Sequence, residues 1–415
     1  MSIVKLGDIC KFINGGAWSD KEYVNFGLPV LKVSNCKNSG FQIEEISYLP
    51  ISSKEKYKKN RLFIGDIIIA TVGSHPNLIE SAAGRSCVVN SLVKGFYLNQ
   101  NAVCLRTMNP EILDQRYLSY ICKERTFVHY IQNKGCGAAN QMRIAIGSIK
   151  DYEFDLPKIS LQRKIANILS TYDFLIENNQ KQIKLLEEAA QRLYKEWFVA
   201  LRFPGYENVK IVDGVPEGWE LKPLSDIFKY VRGKSYTSKE IVELGGTLMV
   251  NLKNIKPFGG YNRNAEKRFD GNYKDSQKLN AGDLIMGVTD MTQERRLVGH
   301  IAIVPDMGET MTFSMDLIKL VPLSVKKSFI YATMYFGGYS KKISPLANGV
   351  NVLHLKPEAM MNMKMLIPTE EVIEQYDKIF EVYQKQIEVL QKQCDFATEA
   401  RDRLLPKLMN GEIEV

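Results

Sequence analysis

Residues 165–197 read IANILSTYDFLIENNQKQIKLLEEAAQRLYKEW. In this stretch Ile165, Leu169, Tyr172, Ile176, Asn179, Ile183, Leu186, Ala190, Leu193 and Trp197 alternate by four and three, and all but Asn179 are apolar or aromatic. A stripe of that period, held for nearly five heptads, marks a helix that buries a narrow seam against another long helix. A second stripe stands 211 residues later: Tyr376, Phe380, Tyr383, Ile387, Leu390, Cys394, Ala397, Arg401, Leu404 and Leu408. Neither segment contains glycine, the only interior proline is Pro406, and Asn410-Gly411 supplies a stop signal. At 1.5 Å per residue each segment would form a rod of about 58 Å.

Pairing of the rods with each other is the favoured reading, through Ile165, Leu169, Tyr172, Ile176, Ile183, Leu186 and Leu193 on one side and Phe380, Tyr383, Ile387, Leu390 and Leu404 on the other. The alternative is an amphipathic helix lying on its own globular domain, although such helices seldom keep one seam for so long. Asn179 falls at a seam position whose counterpart is Leu390. Two readings stand side by side there: a buried amide that sets register at some cost in stability, or a point where the rods splay and meet water.

Working outward from the stripes, shorter phrases repeat as well. Leu6-Gly7-Asp8-Ile9 returns as Leu224-Ser225-Asp226-Ile227, 218 residues on. Gly65-Asp66 followed by Ile67-Ile68-Ile69-Ala70 returns as Gly282-Asp283 followed by Leu284-Ile285-Met286-Gly287, 217 on. Phe154-Asp155-Leu156-Pro157 parallels Met365-Leu366-Ile367-Pro368, 211 on. Three matches in one order, with slowly drifting spacing, indicate a duplication. Each copy mixes short β-rich runs (Leu62–Val72, Leu248–Leu252, Leu284–Val288, Val298–Val304) with apolar helical stretches (Tyr117–Ile131, Ser328–Ile343). The expected fold class is α+β: two α/β globular domains joined by two long antiparallel coiled-coil helices, as an internal pseudo-twofold repeat. The expected boundaries are 1–158 for the first globular domain and 159–202 for the first helix, then a turn-rich linker at 203–218. The second domain follows at 219–368, the second helix at 369–411 and a tail at 412–415.

A chain of 415 residues with 45% hydrophobic and 25% charged residues has ordinary globular composition, which argues against disorder. No apolar run approaches the roughly 18–20 residues that cross a bilayer, and Met1-Ser2-Ile3-Val4-Lys5 lacks the pattern of a secretion signal. Seven cysteines without a CxxC read as reduced, mostly buried thiols, so a cytoplasmic location with no membrane partner is expected.

The formal charge is +8, and the rods carry mixed signs that nearly cancel, so the surplus lies in the globular segments. There it accompanies loops rich in amides and hydroxyls. The first copy offers Lys32, Asn35 and Lys37; Thr71, Ser74, His75 and Asn77; and Asn140, Gln141 and Arg143. In the second copy the candidates are Asn251, Lys253, Asn254 and Lys256; Thr292, Gln293, Arg295 and Arg296; and Asn348 and Asn351. Arg, Lys, Asn and Gln at loop tips make two-point contacts to guanine and adenine edges, while Lys and backbone amides hold phosphates. Any one of these residues alone is better read as part of a solvated loop. The argument rests on three similar loops in equivalent places of both copies, and it makes double-stranded DNA the expected partner.

Signals of catalysis are missing. His75, His129, His300 and His354 are scattered, with no HExxH and no cysteine at metal-ligand spacing. Gly233-Lys234-Ser235 has the tail of a phosphate-binding loop, but Phe228 stands where the leading glycine belongs. Gly259-Gly260 and Gly337-Gly338 lack the GxGxxG frame, and Asn109-Pro110 leads into Glu111 and not into the Asn-Pro-Pro-aromatic motif of amino-methyltransferases. No catalytic residue and no metal site are assigned. A non-catalytic coiled-coil scaffold that bridges proteins is the rival from another class, and a polypeptide that cleaves or methylates DNA by itself is the third.

The combination resembles the specificity (S) subunit of type I restriction-modification systems. Trp197-Phe198-Val199 leads into Phe203-Pro204-Gly205, and Val215-Pro216-Glu217-Gly218-Trp219 precedes Leu224-Ser225-Asp226. At the end, Arg403-Leu404-Leu405-Pro406-Lys407-Leu408-Met409-Asn410-Gly411-Glu412-Ile413 is similar to the family's closing signature. Lys158-Ile159-Ser160-Leu161-Gln162 departs from the family pattern, which tends to have a second proline there, and Thr369 to Gln375 is also loose. The resemblance implies two target-recognition domains, each reading one half of a bipartite asymmetric site. It implies helices that fix the gap between half-sites and dock two methylation (M) subunits, with restriction (R) subunits joining that core. S-adenosylmethionine, ATP and Mg2+ would then sit on those partners, and this chain would hold no cofactor.

Overall fold

The computed structural model describes residues 2–37, 40–43, 46–73, 82–137, 142–263 and 265–415. Two compact units emerge, Met1–Glu177 with Asp395–Val415, and Asn178–Cys394. The long helices run Ile159–Tyr194 and Glu370–Met409, and each contributes one half to either unit. The second keeps helical form through Pro406, three residues before its end.

In the first unit an antiparallel four-stranded sheet has the order Cys10–Asn14, Ala102–Thr107, Ile67–Ala70, Ser86–Val88. Every residue of Ile67–Ala70 is buried, as a β-branched run suited to an inner strand should be. The second unit repeats the order with Phe228–Arg232, Leu317–Pro322, Leu284–Gly287 and Ile301–Ile303. In both, the first strand pairs with the strand that precedes a long helix: Ser2 opposite Leu156 in one, Glu220 opposite Ile367 in the other. The duplication read from short phrases is therefore a duplication of topology.

The repeated Gly-Asp step has a local cause. Gly65 (φ 86°) and Gly282 (φ 79°) take the left-handed conformation that the turn into the inner strand requires. The following carboxylates close that turn, Asp66 accepting from the Phe63 amide at 2.8 Å and Asp283 from the Asn280 amide at 3.0 Å.

The helical stretches expected as single runs are each broken in two. Tyr117–Ile131 divides into Gln115–Ile121 and Arg125–Asn133, and Ser328–Ile343 into Lys327–Tyr335 and Tyr339–Ile343, where Gly338 turns left-handed at φ 73°. The segment read as a linker is also more ordered than a tether. Ile211–Val212 pairs with Val215–Pro216 across Asp213-Gly214, both at positive φ, the geometry of a tight primed hairpin turn. Phe203 is buried with its ring 5.3 Å from Trp219.

The seam divides with the units. In the first, Ile165 and Leu169 share one buried cluster with Leu405 and Leu408, and also with Leu118 and Phe127 of the globular part. Leu404 packs against that cluster, and Tyr172 and Ile176 are half-buried. In the second unit Trp197 meets Tyr376 at 6.0 Å and Asn179 meets Gln393, so the two helical halves run antiparallel there. Phe380 is buried, Leu193 and Tyr383 pack against its cluster, and Ile183, Leu186, Ile387 and Leu390 are half-buried. Pairing and packing on a domain thus both occur, at different positions of one stripe. Of the two readings of Asn179, the structure selects the buried amide: it is 2% exposed and its Nδ2 donates to Gln393 Oε1 at 3.0 Å.

Candidate nucleic-acid interface

In the second unit the candidate loops converge. Strand Thr289–Asp290 pairs antiparallel with Leu353–His354, which roots the loop carrying Thr292, Gln293, Arg295 and Arg296 beside the loop carrying Asn348 and Asn351. Gln293 Nε2 donates to the Val350 carbonyl at 2.8 Å, joining the tips of both. The third loop arrives through Phe258, whose backbone N–H donates to the Arg296 carbonyl at 2.7 Å. Phe258 (φ 66°) and Arg295 (φ 53°) both hold left-handed conformations that cost a side-chain-bearing residue energy, so the tertiary bonds fix them.

Asp290 organises this arrangement, and the sequence reading passed over it. The residue is fully buried. Its Oδ1 accepts from the Thr292 N–H and hydroxyl, both at 2.8 Å, and its Oδ2 from the N–H groups of Leu297 at 2.6 Å and Val298 at 3.2 Å. Burial pushes its pKa up, but the bonds from Leu297, Thr292 and Val298 outweigh that and hold the carboxyl below its usual range. One carboxylate therefore closes both ends of the loop. His300 lies buried nearby, its ring edge-on to Phe258 at 5.7 Å, and burial lowers its pKa, so the imidazole is neutral at pH 7.

The first loop of this unit separates by role. Asn254 is fully buried, its Oδ1 accepting from the Asn251 N–H at 2.9 Å and its Nδ2 donating to the Asn262 carbonyl at 3.0 Å. Asn251 Nδ2 donates to the Ala265 carbonyl at 2.6 Å, and its Oδ1 accepts from the Lys253 N–H at 3.0 Å. These amides shape the turn, and Lys253 and Lys256 are the exposed cations it carries. Thr292, Gln293, Asn348 and Asn351 are exposed, while Arg295 and Arg296 are half-buried. Asn348 Nδ2 bonds the Leu346 carbonyl at 3.1 Å.

The first unit repeats the plan. Val72–Gly73 pairs with Met142–Arg143, placing the roots of two candidate loops side by side, with Arg143 exposed. Thr71 is buried, its N–H donating to Asn101 and its carbonyl accepting from Ile144. Asn35 matches Asn254: it is buried, accepts from the Lys32 N–H at 2.9 Å and donates to the Gln42 carbonyl at 2.9 Å. Lys32 Nζ bonds Ser47 Oγ at 2.8 Å and sits 4.4 Å over the Tyr23 ring, and Lys37 is half-buried. Ser74, His75, Asn77, Asn140 and Gln141 lie outside the described residues.

The structure thus recasts Asn35, Asn251, Asn254 and Thr71 as scaffold, because their burial and backbone bonds leave no edge for a base. The sequence did hold a signal for the asparagines: the step from Asn35 to Asn254 nearly equals the repeat offset, and a turn-forming amide must recur with its turn. All seven cysteines are free thiols, six of them buried. Among the described residues no cluster of His, Cys, Asp or Glu has the makings of a metal site, and no helix is long and apolar enough to cross a membrane.

Residues 1–188 match the family model for the type I restriction modification DNA specificity domain. The type I restriction enzyme MjaIX specificity subunit of Methanocaldococcus jannaschii is 28% identical over 312 residues, covering 72% of this chain and 69% of the relative. The MjaVIII specificity subunit of the same organism is 24% identical over 427 residues, 100% of this chain and 93% of the relative. Among solved structures, the type-I restriction-modification system S subunit from M. genitalium has the same fold at a TM-score of 0.60, with 16% identity and coverage of 98% and 96%.

Proposed function

We propose that the chain is a specificity subunit of a type I restriction-modification system, the family to whose DNA specificity domain residues 1–188 are similar, and that each globular unit reads one half of a bipartite, asymmetric DNA site. The observation that carries this reading is the gathering of three amide-bearing loops, two of them with cations, at one end of the second unit, held there by Gln293–Val350 and Phe258–Arg296 bonds. Exposed Lys253, Lys256, Thr292, Gln293, Asn348 and Asn351 then offer the donors and acceptors that base edges and phosphates require. The first unit presents Arg143 from the paired loop roots and Lys37 from the turn that Asn35 shapes. The loops differ in sequence between the units, so the two half-sites differ.

The helices set the interval between half-sites and dock two methylation subunits, which restriction subunits join. S-adenosylmethionine, ATP and Mg2+ belong to those partners, and this chain contributes recognition without catalysis, in the cytoplasm. The test is an exchange of residues 1–158 for the matching domain of another family member, read by sequencing the methylated bases of a host that carries the chain with its methylation partner. One half-site should change and the other stay. A change in both halves would refute modular reading.

A further inference from the structure

The first unit carries a second basic surface that the reading loops do not use. Edge strand Cys10–Asn14 runs into Gly15-Gly16, and the turn Lys58–Asn60 lies beside it, tied by Asn60 Nδ2 donating to the Asn14 carbonyl at 2.7 Å. An open cleft of about 820 Å³ lies here, lined by Lys11, Lys56, Lys59, Arg106 and Lys150 and by no carboxylate. Glu22 engages Lys56 at 3.1 Å, and both oxygens of Asp66 engage Arg106 at 2.6 Å. Lys11, Lys59 and Lys150 have no acidic partner among the described residues, and Lys150 Nζ rests 5.5 Å over the Phe12 ring. Three uncompensated ammonium groups around one cleft repel one another unless an anion enters.

Two further features make the cleft a preformed one. Asn60 is buried in the cleft wall, where its Nδ2 holds the Asn14 carbonyl and fixes the turn Lys58–Asn60 against the strand end. Gly15-Gly16 is packed tightly against the protein itself, a Cβ on Gly15 lying 1.8 Å from the Asn99 carbonyl oxygen and one on Gly16 2.2 Å from the Trp18 ring, so this side of the cleft is rigid.

The cleft adjoins the root at Thr71, from which one candidate loop leaves the sheet. Gly15 N–H donates to the Ala102 carbonyl at 3.0 Å and Thr71 N–H to the Asn101 carbonyl at 2.9 Å, so the cleft rim and the loop root flank the same two residues. Asn14 and Ile69 sit either side of Val103, about 10 Å apart at two strand spacings. The second unit differs at this place. Tyr230 and Arg232, which hold the register positions of Phe12 and Asn14, both bond Glu358, so an acid already neutralises the site.

We propose that this cleft holds the nucleotide backbone of DNA flanking the half-site read by the first unit, a contact on one side of the target only. The proposal rests on the DNA-reading function and adds to it a strand-binding site outside the bases recognised.

The experiment uses the full-length chain and its triple variant Lys11→Gln/Lys59→Gln/Lys150→Gln, with duplex affinity measured across salt concentrations. Each lost phosphate contact lowers the slope of log K against log salt by about 0.9, so the triple variant should lose about 2.7 of slope while keeping the wild-type ratio of cognate to mismatched affinity. Trimming the duplex outside the first unit's half-site should weaken the wild type and leave the variant unmoved, and trimming at the other end should do neither. An unchanged slope and flank dependence in a folded variant overturns the cleft and leaves the reading loops standing. Inorganic phosphate or a mononucleotide that binds wild type but not variant, with duplex binding unaffected, makes this a small-phosphate site and also overturns it. Wild-type chain that binds no duplex overturns the DNA reading itself.

Discussion

Arg401 on the second long helix donates from Nη1 to Asp173 Oδ1 on the first at 2.7 Å, joining positions 228 residues apart inside the first unit. Asp173 Oδ2 accepts from the Tyr120 hydroxyl at 2.7 Å, and Lys123 stands 3.5 Å away. The one charged residue on an otherwise apolar stripe is thus joined, through Asp173, to a network that ties both helices to the globular part of the unit. Breaking a partly buried pair by removing one partner strands the other, which costs about 2–4 kcal/mol.

Arg401→Ala should therefore lower unfolding free energy by about 2–4 kcal/mol, and the loss should depend on pH. Burial raises the Asp173 pKa, but Lys123, Tyr120 and Arg401 outweigh it and hold the carboxyl below its ordinary value. A depressed folded pKa contributes stability above the unfolded value of about 3.9 and loses it as pH falls through the folded one. Thermal unfolding of wild type and variant should differ by a constant amount from about pH 5 to 7 and converge below about pH 4. A gap that persists into acid would mean that Arg401 acts through packing alone.

Asn179 gives the opposite sign. Its amide is buried against Gln393, whose side chain is exposed and can turn to water. Asn179→Leu should stabilise the chain by about 1 kcal/mol, whereas Asn179→Ala should destabilise it by leaving a void. Denaturant midpoints for the pair decide the matter. If leucine costs stability as alanine does, the amide is energetically needed and does not serve register.

Asp290→Ala removes the acceptor of three backbone N–H groups, those of Thr292, Leu297 and Val298. Each buried donor left unpaired costs about 1–3 kcal/mol, a cost the loop can escape by opening. Amide hydrogen exchange over 291–298 should accelerate, and discrimination at the second unit's half-site should fall at least tenfold with the first half-site unaffected. Equal loss at both half-sites would place Asp290 in the general stability of the chain and not in one reading surface.

What was legible in the sequence follows physical period. The 4-3 alternation exposes the long helices because a seam must repeat wherever a helix meets a partner, and the Gly-Asp phrases recur because a left-handed turn closed by a carboxylate needs those two residues. The loops were legible as loops, but their composition could not separate Asn254, which shapes its turn, from Asn348, which is exposed; both are asparagines in polar loops. Asp290 was hidden for the same reason. A single aspartate between Thr289 and Met291 looks like any loop acid until the chain brings Leu297 and Val298 back onto it. The basic cleft is assembled from residues 11, 59, 106 and 150, a proximity created by strand pairing that linear reading lacks.

The last prediction concerns the spacer. Removing one heptad from each long helix, around Asn179 and around Leu390, preserves the stripe because seven residues restore the same helical face. Seven residues at 1.5 Å shorten a helix by about 10.5 Å, close to three base pairs at about 3.4 Å each. The methylated target in a host carrying the shortened chain and its methylation partner should keep both half-site sequences and lose about three intervening base pairs. Removing two residues from one helix alone should instead abolish modification, because at about 100° per residue every seam position beyond the cut then turns about 160° away from its partner helix. If the heptad-shortened chain still methylated the original spacing, the helices would not be the measuring element, and the interval would have to be set by the methylation subunits.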